Sequence, residues 1–251
     1  MRLARRTFAF ALTGLSLTTL RPARAQAAPP VLLDGARLFD GRAMTGPARL
    51  LMADGVIRLL GGDAAPEGAQ RIDLTGRTVI PAMIAAHSHV GHTAGATLGR
   101  QNHTRENVEA QLRRYQAFGF GAVVSLGLNA PIFHELRRES RAGRLPGALL
   151  LGAGPGIGVP GGAPPVNAMN LAEDQVARPR DPAAMRGAVN DMADKGIDLV
   201  KVWVDGLGDT VPQMAPEMVR AAAEATHARG LKISAHVHDL SQARLAVEAG
   251  V

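Results

Sequence analysis

The 251-residue sequence contains no cysteine, which excludes disulfide bonds and cysteine-based zinc sites. It shows no clustered basic face of the kind that binds nucleic acid. The apolar stretch Phe8–Leu20 is shorter than the ~20 residues that usually span a bilayer. A hydrophobic content of 46% is nevertheless ample for a buried core. Any metal in this protein must therefore be held by histidine, carboxylate or a modified side chain.

The first 25 residues are predicted to be an export signal. Arg2, Arg5 and Arg6 precede the apolar stretch, and Ala23-Arg24-Ala25 fits cleavage between small residues. The segment Arg5-Arg6-Thr7-Phe8 is similar to a twin-arginine signal, with an ordinary secretory leader as the alternative. Either signal predicts a periplasmic or secreted protein with no stable membrane insertion after the leader is removed.

The leader also accounts for most of the positive charge. The whole chain has 28 basic and 22 acidic residues, a net charge of +6. Five basic residues lie in the leader, which leaves 23 basic against 22 acidic groups and a net charge of +1; they are Arg2, Arg5, Arg6, Arg21 and Arg24. We therefore expect no nucleic acid partner for the mature chain.

Residues 26–80 are predicted to form a small β-rich domain. Short apolar runs alternate with the pairs Asp34-Gly35, Asp40-Gly41 and Asp54-Gly55. Asp-Gly between apolar runs is a hairpin signal. No useful helical periodicity is present in this segment.

Residues 81–251 follow a different pattern, in which strands alternate with amphipathic helices. The predicted strands are Val79–His87, Gly121–Leu126, Ala148–Gly152, Leu199–Val204 and Lys232–His236. The predicted helices include 105–118, 181–195, 216–229 and 241–250. This alternation implies parallel strands with right-handed crossovers, typical of the first five strands of a (β/α)₈ barrel. A closed barrel needs about 250 residues, so we expect an α/β fold with an incomplete, C-terminally truncated barrel.

The glycine-rich segment Gly152–Pro165 is predicted to be a long loop after the third of these strands. It lacks the Lys-Ser/Thr ending of a phosphate-binding P-loop and the spacing of a dinucleotide fingerprint. We therefore expect an active-site loop over the barrel mouth.

Two predicted strands end in histidine pairs with a spacing of two. The first contains His87 and His89, and the fifth contains His236 and His238. Side chains at i and i+2 of a strand point to the same face, so each pair can converge on one metal ion. A chance pair on a solvated loop is the alternative for either one, but two such strand ends are harder to attribute to chance.

Lys201 lies within the apolar fourth strand, between the two histidine pairs in the sequence. One possibility is that its ammonium reaches the strand end and solvent. The other is that burial lowers its pKa, so that the amine reacts with carbon dioxide. The resulting carbamate has two anionic oxygens that can bridge two metal ions.

These motifs resemble those of the amidohydrolase superfamily, in particular its imidazolonepropionase/prolidase-like branch. Pro81 to His89 matches a Pro-Gly-x-Ile-Asp-x-His-x-His type motif, with Ala82 in place of glycine and Ala85 in place of aspartate. The family has a small β-sandwich followed by a (β/α)₈ barrel, a carboxylated lysine ending strand four and a histidine ending strand five. Lys201 and His236 fall on the corresponding strands.

The resemblance implies a hydrolase of amide or peptide C–N bonds that uses a metal-activated hydroxide and two divalent ions, zinc being the first choice. His87 and His89 would bind the more buried ion, Lys201 would bridge both, and His236 would bind the second. A further histidine and the general-base aspartate are expected beyond Val251. The chain alone is therefore expected to be inactive.

Other residues carry weaker expectations. His238, His92 and Asp205 are candidate contacts for a small-molecule or peptide-like substrate, each with a structural role as the alternative. Ala163 stands where relatives often have histidine after two glycines, a departure that affects substrate contacts. Surface positions are expected for three histidines, and Trp203 is expected to face the outer helices; the histidines are His103, His134 and His227.

Three functional hypotheses remain open at the level of sequence. The first is the metal-dependent hydrolase, with an oligomer possible. The second is a non-catalytic remnant, or a barrel fragment that a partner completes through unpaired edge strands. The third is a periplasmic ligand-binding protein, whose binding would not respond to chelators.

Overall fold

The computed structural model of the protein describes residues 29–60 and 65–251. The predicted export signal lies outside the described residues. The chain divides into two compact units, the first ending at Pro81 and the second running from Ala82 to Val251. Among the helices that the structure describes, none has the length and apolar character needed to cross a membrane.

The first unit is a five-stranded sheet in which β1 is central. Its strands are β1 (Val31–Phe39), β2 (Met44–Ala53), β3 (Val56–Leu60), β4 (Gln70–Asp73) and β5 (Thr78–Val79). β1, β2 and β3 pair antiparallel, whereas β4 and β5 both run parallel to β1. The predicted hairpin at Asp54-Gly55 is present, and the φ values of 52° and 72° at these two residues suit a two-residue turn.

The hairpin predicted at Asp34-Gly35 is wrong. Both residues lie inside β1, and the register with β2 shifts between Asp34 and Ala36. Gly35 has a φ of 78°, and a Cβ on it would lie 2.7 Å from Oγ1 of Thr75. Asp-Gly supplies the positive φ that a β-bulge needs as readily as the one a hairpin needs.

The second unit contains five strands that run parallel to their ladder neighbours, four of them at the predicted places. They are β6 (Met83–Ser88), β9 (Phe120–Ser125), β10 (Leu149–Gly152), β11 (Leu199–Trp203) and β12 (Lys232–His236). A small antiparallel pair, β7 (Thr93–Ala94) and β8 (Thr97–Leu98), lies in the loop after β6.

The first predicted strand, Val79–His87, is two strands. Thr78 and Val79 pair with β1 in the first unit, and β6 begins only at Met83. Pro81 lies between them, and proline cannot donate a hydrogen bond to a strand ladder.

Four α-helices lie between the strands of the second unit, and a fifth follows β12. Their bounds are α1 (Arg105–Ala117), α2 (Ile132–Arg141), α3 (Pro182–Asp194), α4 (Pro216–Ala228) and α5 (Leu240–Glu248). Four of them lie where the sequence predicts helices, and α2 is an addition. The starts of α1 and α3 are capped by side chains, since Thr104 accepts from Asn107 N–H and Asp181 from Ala184 N–H.

Within the described residues, the parallel strands form two ladders rather than one continuous sheet. β6, β9 and β10 make the first ladder, in the order β10-β9-β6, and β11 pairs with β12 in the second. Asp198 joins them, because its N–H donates to the Gly152 carbonyl at 3.0 Å and its carboxylate accepts from the Gly152 N–H at 2.8 Å. The structure is therefore mixed α/β with two parallel ladders.

The hydrophobic core beside the second ladder determines which face of β11 is left to line a possible functional site. Val200 and Val202 of β11 are fully buried in the hydrophobic core with Met185, Val189 and Val219 of α3 and α4. Alternation along β11 therefore sends the side chains of residues 199, 201 and 203 to the opposite face.

Candidate metal centre

The register between β11 and β12 assembles one side of the site. Partners in this parallel ladder differ by 33 in number, with Lys201 opposite Ser234 and Trp203 opposite His236. The same offset continues past the strand ends, where Asp205 meets His238. Residues 201, 203 and 205 therefore share a face with residues 234, 236 and 238, because alternate residues point the same way.

Lys201 is the largest fully buried side chain in the described part of the chain, at 1% exposure. No carboxylate of the described residues lies within ion-pair distance of its Nζ. Burial lowers its pKa from 10.5 to about 8, since the charged form is poorly solvated there. Of the two alternatives for Lys201, the one in which its ammonium reaches solvent is therefore excluded.

His87 and His89 lie at the end of β6 with their rings 5.4 Å apart, centroid to centroid. Burial is the main cause that lowers the pKa of His89 to about 4, with smaller contributions from the charges of His87 and Lys201. Burial and the charge of Lys201 also lower the pKa of His87. Nδ1–H of His89 donates to the carbonyl oxygen of Gly127 at 3.3 Å. Because a carbonyl can only accept, this bond leaves Nε2 unprotonated and available as a ligand.

The buried carboxylate of Asp205 contacts both histidines at the end of β12. Its side chain is 0% exposed, and its Oδ2 lies 2.6 Å from Nδ1 of His238 and 3.3 Å from Nε2 of His236. Ligand atoms of these three residues all lie within 4.8 Å of one another. Burial and the charge of Lys201 lower the pKa of His236, whereas the bond to Asp205 raises the pKa of His238.

The sequence predicted these three residues separately, His236 as a metal ligand and Asp205 and His238 as substrate contacts. The contact between them depends on the register of β11 against β12, which the sequence motifs do not encode. A usable signal was present, because Asp205 follows Lys201 by four residues and thus lies on the same strand face.

The prediction that Trp203 faces the outer helices is wrong. Trp203 follows Lys201 by two residues and shares its face, and its ring centroid lies 5.7 Å from Nζ of Lys201. The ring fits between two glycines, since a Cβ on Gly127 or Gly156 would lie 2.4 or 2.5 Å from its atoms. Trp203 therefore packs beside the lysine at the strand ends, at a distance compatible with a cation–π interaction.

The glycine-rich loop after β10 is held close to these strand ends. Ile157 N–H donates to the Lys201 carbonyl at 2.8 Å, and Trp203 N–H donates to the Ile157 carbonyl at 2.9 Å. The guanidinium of Arg178 donates to three loop carbonyls, those of Val159, Gly162 and Pro164. Ala163 is buried within this loop.

His92 is buried at 2% exposure instead of facing solvent at the mouth. Neither of its ring nitrogens has a hydrogen-bond partner within the described residues, and its ring lies 5.7 Å from that of His103. A substrate contact by His92 stays a prediction.

Of the three histidines expected at the surface, only His227 is exposed. His103 is half-buried and accepts from the side-chain amide of Gln175 at 2.8 Å, and burial lowers its pKa to about 4. His134 is also half-buried, and burial lowers its pKa. Both lie on loop or helix faces that turn inward, which their local sequence did not indicate.

Comparison with known proteins identifies the fold. No family model and no curated protein matches the chain. A solved Xaa-Pro dipeptidase with bound methionine in its active site aligns with a TM-score of 0.70 and 25% identity, over 88% of this chain and 60% of its own. A prolidase complexed with N-methylphosphonate-L-proline aligns with a TM-score of 0.73 and 19% identity, over 88% and 59%. A solved amidohydrolase aligns with a TM-score of 0.71 and 19% identity, over 88% of this chain and 59% of its own.

The chain has the amidohydrolase-superfamily fold. It spans about three fifths of the length of these solved structures. The resemblance predicted from the histidine and lysine motifs is confirmed at the level of this fold.

Proposed function

We propose that this chain is the larger part of a metal-dependent hydrolase that cleaves amide or peptide C–N bonds. The observation that carries the proposal is Lys201, a buried amine without a carboxylate partner in the described structure, whose charge lowers the pKa of His87, His89 and His236. Burying such a group costs folding free energy, so its presence here indicates a functional role.

The donor set fits divalent transition metals. Burial and the charge of Lys201 favour neutral imidazole at His87, His89 and His236, and neutral imidazole is the form that binds metal. We propose that His87 and His89 hold one ion, His236 holds a second and carboxylated Lys201 bridges them, with zinc as the metal. When bound, such ions lower the pKa of water and polarise the scissile carbonyl.

Carboxylation of Lys201 needs only carbon dioxide. The neutral amine attacks the carbon and forms an N–C bond, one C=O electron pair moves to oxygen, and a proton leaves to solvent. A lowered pKa supplies neutral amine near pH 8. The product is an anion beside three imidazoles, which relieves the unfavourable burial of a cation at this position.

The surrounding residues orient these groups. Gly127 accepts from Nδ1–H of His89 and so sets the imidazole tautomer. Gly127 and Gly156 also leave room for the Trp203 ring, which restricts the Lys201 side chain from one side. These contacts pre-organise the ligands before an ion binds.

We propose a peptide-like small molecule as the substrate, since related solved structures include a dipeptidase with methionine and a prolidase with a phosphonate-proline bound. Ala163, buried in the glycine-rich loop, has no side-chain group that could hydrogen-bond this substrate. The general-base aspartate and another histidine ligand are proposed to follow strand five in the whole protein. We also propose export to the periplasm through the signal at residues 1–25.

The experiment is Lys201→Ala in a protein that includes the remaining barrel strands, with Lys232→Ala as the matched control because Lys232 is exposed on β12. We expect Lys201→Ala to bind less zinc than the wild type and to lose hydrolysis of Xaa-Pro dipeptides, and short carboxylic acids to restore part of the activity. Unchanged zinc content and activity would overturn the bridging role of Lys201.

A second candidate is a barrel that a partner chain completes. β6 is an outer strand of its ladder, and its Met83 and Ile84 are exposed apolar residues. Leu240 and Val247 of α5 are exposed as well. Unpaired strand edges with apolar side chains favour pairing with another chain. Molar mass from light scattering separates this candidate, because it predicts a stable complex and not a monomer.

A further inference from the structure

The turn 125–129 follows β9 and holds His89 at two points. The hydroxyl of Ser125 accepts from the N–H of Val90, the next residue after His89, at 3.0 Å. The carbonyl of Gly127 accepts from Nδ1–H of His89 itself at 3.3 Å. This turn therefore fixes both the backbone beside His89 and one nitrogen of its ring.

The turn has an unfavourable backbone conformation. Gly127 and Leu128 have φ values of 86° and 62°, and the left-handed region is costly for leucine. Other parts of the chain hold Leu128 there, since its N–H donates to the Pro155 carbonyl at 2.9 Å and its carbonyl accepts from the buried Gln175 amide at 2.7 Å. Backbone strain that neighbouring groups maintain is common at functional sites.

Asn129 connects Ser125 to the glycine-rich loop after β10. Its Oδ1 accepts from the Ser125 hydroxyl at 2.7 Å, and its Nδ2 donates to the carbonyls of Ser125 and Gly154 at 3.2 and 2.8 Å. Ser125 is 0% exposed and Asn129 is 3% exposed. Because Asn129 takes the single hydroxyl hydrogen of Ser125, the Ser125 oxygen faces Val90 only as an acceptor. The two side chains therefore act together on the backbone beside His89.

We propose that Ser125 and Asn129 are positioning residues for His89, which keep Nδ1 of its imidazole protonated and Nε2 free to bind an ion. Gly127 supplies the acceptor for Nδ1–H, and the two side chains keep the turn in the conformation that presents it. The inference rests on the proposed function only for the use of Nε2 as a metal ligand. Groups that orient a metal-binding imidazole in this way are worth about 10- to 100-fold in metal affinity.

The test is ¹⁵N NMR of the metal-free chain with labelled histidine at pH 7, where His89 is neutral because burial lowers its pKa to about 4. The variants are Ser125→Ala and Asn129→Ala, and His89→Gln identifies the signals of His89. Ser140→Ala is the matched control, because Ser140 is also buried and its hydroxyl accepts from the Leu150 N–H at 2.9 Å. Both serine variants leave one buried N–H unpaired, so a loss of stability alone affects them alike.

We expect wild-type His89 to be protonated at Nδ1 alone and both test variants to show a mixture of the two tautomers. Ser125→Thr, which keeps the hydroxyl, should behave as the wild type does. In a Co²⁺ titration the test variants should weaken the ion at His87 and His89 by about 10-fold or more, whereas Ser140→Ala should not.

A wild-type His89 protonated at Nε2 would overturn the proposal. So would a single Nδ1–H tautomer in both test variants, or the same change of tautomer in Ser140→Ala. If the tautomers change as expected but the wild-type chain binds no Co²⁺, the proposed function fails and the positioning role stands, so the two failures are distinguishable.

Discussion

Replacing Lys201 with methionine should stabilise the metal-free protein while removing its metal chemistry. Methionine is similar in length but carries no charge, and Lys201 is buried without a carboxylate partner within the described structure. A pKa lowered from 10.5 to about 8 corresponds to a penalty of about 3 kcal/mol, because each tenfold change in proton affinity is worth ~1.4 kcal/mol. Loss of the interaction with the Trp203 ring offsets about 1 kcal/mol of that gain.

The sign of the pH dependence follows from the lowered pKa. At pH 7 the lysine is charged in both the folded and the unfolded chain, so the folded state bears the whole penalty. Between pH 8 and 10.5 the folded state loses this proton before the unfolded state does, and the penalty disappears. We therefore expect Lys201→Met to be more stable by about 2 kcal/mol at pH 7, with the advantage shrinking above pH 8.

The assay is urea unfolding in metal-free buffer purged of carbon dioxide, followed by fluorescence of Trp203, the only tryptophan in the chain. Lys232→Met is the control, and a change at this exposed position should stay within about 0.5 kcal/mol. If Lys201→Met is no more stable than wild type at pH 7, then Lys201 has a compensating partner and the reasoning about its burial is wrong.

Three further predictions follow from the same contacts. Gly156→Ala should displace the Trp203 ring, which a Cβ would meet at 2.5 Å, and cost about 1–3 kcal/mol with a shift in Trp203 emission; unchanged emission would contradict the packing. Arg137→Ala should cost about 2 kcal/mol in thermal or urea unfolding, since Arg137 donates to Asp198 between the two ladders; a loss under 0.5 kcal/mol would show that Arg141 suffices. In metal-free protein, stability should fall as pH drops from 6.5 to about 4, because burial lowers the pKa of His103 to about 4. His103→Leu should flatten that dependence and His227→Leu should not.

The sequence predicts most strands of the second unit because their apolar runs are long and end in polar residues. β12 is found at Lys232–His236 as predicted, and β9 and β10 differ from the prediction by one residue at one or both ends. The exception is the first strand, where the apolar run continues through Pro81 although the hydrogen-bonded ladder does not. Hydrophobicity alone does not reveal which sheet a residue joins.

The site was predictable up to the register between strands. Alternation correctly indicated that His236 and His238 share a face, and the same rule applied to Lys201 would have placed Trp203 beside it. The pairing of Asp205 with His238 depends on a ladder offset of 33 residues, and the length and packing of α4 set that offset. No local motif contains this information.

The measurement that most directly tests the central claim is ¹³C NMR of the zinc-loaded protein after growth and purification with ¹³C-bicarbonate. The account predicts one slowly exchanging carbamate carbon per chain, lost in Lys201→Ala and retained in Lys232→Ala. Zinc-loaded wild-type protein without any carbamate signal, or with one that survives Lys201→Ala, would contradict it.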